Sequence, residues 1–354
     1  MFNSKIQQHG KNKMRKRCRL FHATDFQSLM YPCFILCRIL GICPYKINAM
    51  TFTISKPYYI LSTIIICGFC IYDLVLIYAI SSAKVTYENI IKNLESVCYC
   101  TFTGLIAIIT YILSSPRMRL LQSTLEISSK LSSKSYQKLS RLIHAKDIFV
   151  FIWLIVQGNI YYYKILATEL NYFYILYIVF GMYITLFEFE ILMLYVNCVC
   201  VLKTCFKSIN SMLAHMQKFI NCISPSLICH ARKNQSLLIK LKSLMKQHLK
   251  TSKIMQMLNI IFSLQILATV VMVFANITFE LYLYAVRWQD GITIVFNKHL
   301  LDIFSMSLTY NVVRLIILVW ICETCKNQAQ EIRTIIHDLL NNTSNEEIKD
   351  EVHT

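Results

Sequence analysis

Charge is scarce in this sequence of 354 residues: Asp, Glu, Lys and Arg make up 16% of it, while 56% is hydrophobic and the mean hydropathy is positive. A soluble domain of ordinary composition carries about 25% charged residues, so the apolar side chains here exceed what one aqueous core would bury. Glycine and proline are also few, seven and five, which suits long helices. Catalytic signatures are missing as well. The chain holds no G-x-S-x-G, no H-E-x-x-H and no G-x-x-x-x-G-K-[ST], so it is not expected to be an enzyme and no cofactor is expected. Nor is there a helix with arginine at every third position or a T-V-G-Y-G filter loop, which removes the familiar voltage-gated channels. The first 30 residues are polar and basic and contain no apolar core of a secretory signal, so the first true span is expected to begin membrane insertion itself.

What is present is apolar sequence gathered into blocks of about 20 residues or more, enough to cross ~30 Å of hydrocarbon as helix. The spans read as 58–80, 96–114, 147–167, 173–202, 256–286 and 300–321. They are continuous rather than alternating, which argues for helices over barrel strands, because a helix satisfies its backbone without partners. The fold expected is an all-α membrane bundle with six transmembrane helices, the whole block 58–321 following a cytoplasmic segment 1–57. Within 1–57, Tyr31 to Cys43 is too short to span and reads as a packed or interfacial helix.

Lysine and arginine sort along this pattern. The segment before residue 58 holds 10 of them, 81–95 holds 2, 115–146 holds 7, 168–172 none, 203–255 holds 10, 287–299 holds 2 and the tail 322–354 holds 3. Basic-rich and basic-poor segments alternate throughout, which puts the N-terminus and the present C-terminus in the cytoplasm of a plasma-membrane protein. The net charge of +17 is then a topology signal and a contact with anionic inner-leaflet lipid rather than a mark of nucleic-acid binding. Spans four and five are about 30 residues each and at ~1.5 Å per residue project beyond the hydrocarbon. The linker 203–255 between them carries Leu237, Leu238, Leu241 and Leu244, an apolar helical stripe. A cytoplasmic helical layer, open to subunit contacts or to the inner membrane surface, follows.

The fifteen cysteines lie mostly in spans and cytoplasmic segments, where no disulfide framework forms. Cys322 and Cys325 have half the spacing of a zinc or redox pair, but no second pair or histidine stands near in sequence, so they read as small apolar residues and no metal site is expected.

The segment Tyr31-Pro32 with Arg38-Ile39-Leu40-Gly41-Ile42-Cys43-Pro44-Tyr45, ahead of the first span, resembles the pre-helix signature of insect gustatory receptors. The sixth span running into Cys322-Glu323-Thr324-Cys325-Lys326-Asn327-Gln328-Ala329, then Ile335-Ile336-His337-Asp338-Leu339-Leu340, resembles that family's sixth helix and the cytoplasmic helix after it. The resemblance implies a seven-helix receptor with its N-terminus inside and its C-terminus outside, assembling as a tetrameric ligand-gated cation channel that detects a small-molecule tastant. It also implies a pore-lining seventh helix with a Thr-Tyr-hydrophobic-Gln-Phe motif, and this sequence ends at Thr354 before one. Thr309-Tyr310 is followed by Arg314 and is not that motif, while Ser344 and Glu347 form a capping box with few residues after it. In this form the chain is expected to lack the pore helix and not to conduct alone. An odorant receptor, a nonconducting truncated assembly partner and an unrelated six-helix transporter are the alternative readings.

Polar and aromatic groups in spans are the candidate ligand contacts, because polar groups in hydrocarbon usually face a cavity or a partner. Span three offers Trp153, Gln157, Tyr161 and Tyr162; span four Tyr177 and Tyr183; span five Asn276 and Glu280; span six Ser305 and Tyr310. Each single tyrosine fits an aromatic belt or helix packing as well. Glu188 and Glu190 on span four and Arg314 on span six fall at similar depth, ~21 to 24 Å below the outer ends at ~1.5 Å per residue. An intramembrane salt bridge among them is expected, fixing helix packing or a gating state rather than touching ligand.

Overall fold

A computed structural model of the chain describes residues 21–48, 51–82, 90–166, 172–221, 230–289 and 298–342. Almost all of them are helical. In chain order the elements are α1 (Phe26–Ile39), β1 (Tyr45–Asn48), β2 (Thr51–Ile54), α2 (Lys56–Ser81), α3 (Ile90–Ile112), α4 (Ser114–Ser128), α5 (Ser133–Leu166), α6 (Tyr172–Asn221), α7 (His230–Gln289) and α8 (Lys298–Asn342).

The short pre-span helix starts five residues earlier than its apolar run suggests, because its N-cap is polar. The Asp25 carboxylate accepts from the Ser28 amide at 2.7 Å and the Ser28 hydroxyl accepts from the Asp25 amide at 3.2 Å, a reciprocal capping box. Phe26, Leu29, Met30, Cys33, Phe34 and Cys37 are all buried, and their spacing of three and four puts them on one face. Burying each large apolar side chain of that stripe contributes roughly 1.5–3 kcal/mol. The helix stops at Gly41, whose φ is +74°. The Ile42 amide donates to the Cys37 carbonyl at 2.7 Å and the Gly41 amide to the Arg38 carbonyl at 3.1 Å, closing a Schellman turn. Ahead of α1 the chain is held to α5: the Phe21 amide donates to His144 Nδ1 at 3.0 Å while His144 Nε2 meets the Leu29 carbonyl at 3.0 Å.

No strand is expected from the hydrophobic pattern, yet β1 and β2 pair antiparallel, Tyr45 opposite Ile54 and Asn48 opposite Thr51. The hairpin is anchored to α4, where the Phe52 amide donates to Gln122 Oε1 at 2.9 Å and the Tyr45 hydroxyl to the Ser114 carbonyl. Four-residue strands with β-branched Ile47, Thr51, Thr53 and Ile54 carry too short a period to stand out beside helical blocks.

Five helices hold segments long and apolar enough to cross a membrane, on α2, α3, α6, α7 and α8. The third expected crossing, 147–167, lies on α5 and runs past Asn159, the last α5 residue whose side chain is described, so the expected count of six stands at five among the described residues. Every residue from Phe187 to Leu202 is buried, which makes α6 the central helix; α1, α4, α5, α7 and α8 surround it. The outer faces of α2, α7 and α8 are apolar and exposed, with Ile64, Leu74, Ile260, Leu264, Phe274, Ile316 and Val319 turned outward. Large apolar side chains over whole helix faces are what lipid solvates and water does not.

The long helices α6, α7 and α8 also pack against one another. On α7, Leu241 and Leu244 are buried, as are Phe206, Ile209 and Leu213 on α6, and Asn210 Nδ2 donates to the Gln328 carbonyl of α8 at 3.0 Å. Leu237, the outer loops and the Ser344–Glu347 capping box lie outside the described residues or side chains.

Replacement of Gly41 by Ala tests the turn that seats α1. A Cβ there would stand 3.3 Å from the Ser62 Cα of α2, and the left-handed backbone adds about 1–2 kcal/mol for a residue with a Cβ. We expect Gly41→Ala to lower the melting temperature of the detergent-solubilised protein by several degrees, read by scanning fluorimetry; an unchanged transition would contradict this role for the turn.

Candidate functional site

Two carboxylates on the central helix define the polar interior. Glu188 and Glu190 stand two positions apart, which on an α-helix is about 200° around the axis, so they serve opposite sides. Glu188 faces α8: its Oε2 lies 3.2 Å from Arg314 Nη1, with side-chain exposures of 2% and 4%. At that depth water does not screen the pair, and breaking such a pair costs about 3–5 kcal/mol because the remaining charge is left buried. Glu190 turns instead toward α1, where Cys37 Sγ donates to its Oε2 at 3.9 Å.

The Glu188–Arg314 pair is incompletely satisfied. Glu188 Oε1, Arg314 Nε and Arg314 Nη2 are buried with no hydrogen-bond partner, and so are the Tyr310 hydroxyl, Trp153 Nε1 and Gln157 Oε1. Arg314, Tyr310 and Trp153 gather at one place. Phe149, Val150 and Trp153 of α5, Phe189 and Met193 of α6, and Tyr310, Val313, Arg314 and Ile317 of α8 line a small recess that is partly open to the outside. Its walls are apolar and aromatic. Orphaned donors therefore outnumber orphaned acceptors around an apolar hollow, an arrangement that holds an apolar body while offering hydrogen bonds to an acceptor on it.

The ten ligand candidates fall in three groups. Trp153 and Tyr310 line the recess, and Gln157 sits one helical turn beyond Trp153 on α5. Tyr183, Glu280, Asn276 and Ser305 lie elsewhere. Tyr183 packs with Phe69, Phe180 and Phe187 and donates its hydroxyl to the Leu40 carbonyl at 3.1 Å, tying α6 to the end of α1. Glu280 accepts from Ser307, joining α7 to α8, Asn276 lies half-buried one turn before it, and Ser305 is exposed at the start of the described part of α8. Tyr161, Tyr162 and Tyr177 have side chains outside the described residues. Arg314, expected to act away from ligand, is itself a wall of the recess.

Sequence reading missed Phe149, Phe189 and Met193, which carry no signal beyond hydrophobicity. It also missed Asp73, a buried carboxylate in the apolar α2 with both oxygens unpartnered and one of them 3.1 Å from where a Cβ on Gly104 would sit. An acidic residue within so apolar a span was a signal available to find it.

Long helices with lipid-suited outer faces around a buried central helix define a multi-pass α-helical membrane protein. The chain belongs to the 7tm chemosensory receptor family, whose family model matches residues 30–353. Among solved structures it is similar to the insect olfactory receptor OR5 from Machilis hrabei, with a TM-score of 0.68 and 10% identity over 92% of this chain and 86% of that one. At that identity the likeness speaks for the fold. No curated protein sequence matches.

Charge exchange tests the central pair. Glu188→Arg and Arg314→Glu alone should each lower folding yield and melting temperature sharply, by about 3–5 kcal/mol for an orphaned buried charge. The double exchange should recover most of the loss in size-exclusion and thermal-melt profiles; additive losses would rule the coupling out.

Proposed function

We propose that the protein is a gustatory-type chemosensory receptor, a subunit of a ligand-gated cation channel whose small-molecule tastant binds in the recess between α5, α6 and α8. The observation that carries this reading is the set of unpartnered donors, Trp153 Nε1, the Tyr310 hydroxyl and two Arg314 nitrogens, around an apolar hollow. Family membership supplies the chemosensory class. The gustatory assignment is supported by the segments Arg38 to Tyr45 and Cys322 to Ala329, which resemble those of gustatory receptors. A ligand suited to these walls has an apolar or aromatic body and a neutral oxygen acceptor, since Glu188 already offsets the Arg314 charge. Subunits would meet as a homo- or hetero-tetramer through the cytoplasmic layer of α6, α7 and α8. Arg314, a wall of the recess and the partner of Glu188, would then tie ligand occupancy to the relative position of α6 and α8. An odorant-type receptor is the second reading, favoured by the structural similarity to OR5.

The reading is tested on purified protein with a panel of tastants and volatile odorants, taking ligand-induced rises in melting temperature as the binding signal. Trp153→Leu and Tyr310→Phe should each weaken the best ligand about tenfold or more, as loss of a buried hydrogen bond does at about 1–3 kcal/mol. Substitution of the outward-facing Ile316 by Val should leave it unchanged. Variants that bind every ligand like the parent would remove the recess as the site, and a panel answered only by volatiles would favour the odorant type.

Orientation is tested separately. An epitope tag at the N-terminus should label only after permeabilisation of expressing cells; labelling of intact cells would reverse the topology drawn from the lysine and arginine counts.

A further inference from the structure

The other carboxylate of the central helix points to a second site. Cys33 and Cys37 lie one helical turn apart on the same face of α1, and α6 brings Glu190 against them. The two thiols and the carboxylate are all buried, and their ligand atoms lie within 4.8 Å of one another. Cys33 Sγ is 3.9 Å from Cys37 Sγ, and Cys37 Sγ is 3.9 Å from Glu190 Oε2. Tetrahedral zinc with sulfur at about 2.3 Å and carboxylate oxygen at about 2.0–2.2 Å spaces its donors by roughly 3.5–3.8 Å, so the two contacts of Cys37 need close by only a few tenths of an ångström, with the Cys33–Glu190 separation within 4.8 Å. Cys43 follows just past the Schellman turn, its amide donating to the Cys37 carbonyl at 3.2 Å.

A second feature independently calls for negative charge here. Arg117 of α4 is fully buried, yet its Nε and Nη2 have no partner, and Nη1 reaches only the Ile42 carbonyl at 3.4 Å. Among the described residues no carboxylate pairs with it. Its guanidinium rests over the Phe262 ring at 5.3 Å. A buried cation with no counter-ion is costly. Thiolates held by a metal would provide one, whereas thiols do not.

We propose that Cys33, Cys37 and Glu190 bind a thiophilic d10 cation, zinc or copper(I), that pins α1 to the central helix. Binding displaces one proton from each coordinating thiol, and those protons leave to solvent. Two thiolates and the carboxylate bring three negative charges to a divalent zinc, and Arg117 answers the excess. No oxidant or reductant takes part. Soft sulfur donors select zinc or copper(I) over magnesium and calcium. The thiols come from a segment expected on the reducing, cytoplasmic side, where a disulfide would not compete. In the metal-free state Cys33 stays protonated: its hydrogen bond with Cys37 pulls the thiol down, but burial and the neighbouring Glu190 charge hold it up at about 11.

The full chain, purified in detergent without chelators, should carry close to one equivalent of zinc or copper by plasma mass spectrometry, the element found naming the metal. Cys33→Ser and Cys37→Ser should each bring this to background, Glu190→Gln should speed loss to a chelator at least tenfold, and Cys205→Ser, a buried thiol elsewhere on α6, should keep the metal. Should the serine variants fail to fold, the parent protein still decides. Cobalt added to stripped protein should give a thiolate-to-cobalt charge-transfer band, and zinc should protect Cys33 and Cys37 from alkylation mapped by peptide mass spectrometry. A parent protein with no stoichiometric metal and no such band, or metal retained after both cysteines are replaced, would overturn the proposal.

Discussion

A helix enclosed on all sides cannot leave a carboxylate unanswered, and α6 carries two. Taking an ion from water into such surroundings costs several kcal/mol even after relaxation, so the neighbours of α6 are placed to meet those charges. Because Glu188 and Glu190 point apart, one of them fixes α8 through Arg314 and the other draws in the thiol face of α1. The aromatic packing around Phe69, Tyr183 and Phe187 and the Leu40 carbonyl held by Tyr183 then have their positions set.

Elsewhere the bundle is tied by small polar contacts between neighbouring helices. Lys146 donates to Asn197 Oδ1 at 2.9 Å and Asn197 donates in turn to Asp147 at 3.3 Å, a closed knot between α5 and α6. Gln265 of α7 donates to Thr110 of α3 at 2.6 Å. Between helices in lipid, hydrogen bonds of this kind contribute only about 0.6–2 kcal/mol each, and their effect is mainly to set rotation and register. The half-exposed Lys250–Glu126 contact at 3.0 Å adds little, since solvent reaches both partners.

The membrane class, the helical blocks and the long projections of α6 and α7 could be read from the chain because unbroken apolar runs of about 20 residues seldom arise except to cross lipid. The pairing of Glu188 with Arg314 was legible from rise per residue alone, which set them level on their helices. What counting along spans does not give is azimuth: it grouped Glu190 with Glu188, and it ranked Tyr183 beside Trp153 although the two face different neighbours. Asking which side of the helix each residue takes, at about 100° per position, separates them. The hairpin at Tyr45–Ile54 and the start of α1 depend on local polar geometry, Asp25 with Ser28 above all, which composition does not register. The thiol cluster was hidden for another reason, since its third ligand is 153 residues away from Cys37.

The rim of the recess includes Phe149, which is 59% exposed within the chain. If lipid covers that face, a compound dissolved among the acyl chains would meet the proposed site sideways, without first passing through an aqueous vestibule. Its concentration at the entrance would then be multiplied by its preference for oil over water, so two compounds with equal intrinsic affinity would differ in apparent potency by the ratio of their partition coefficients.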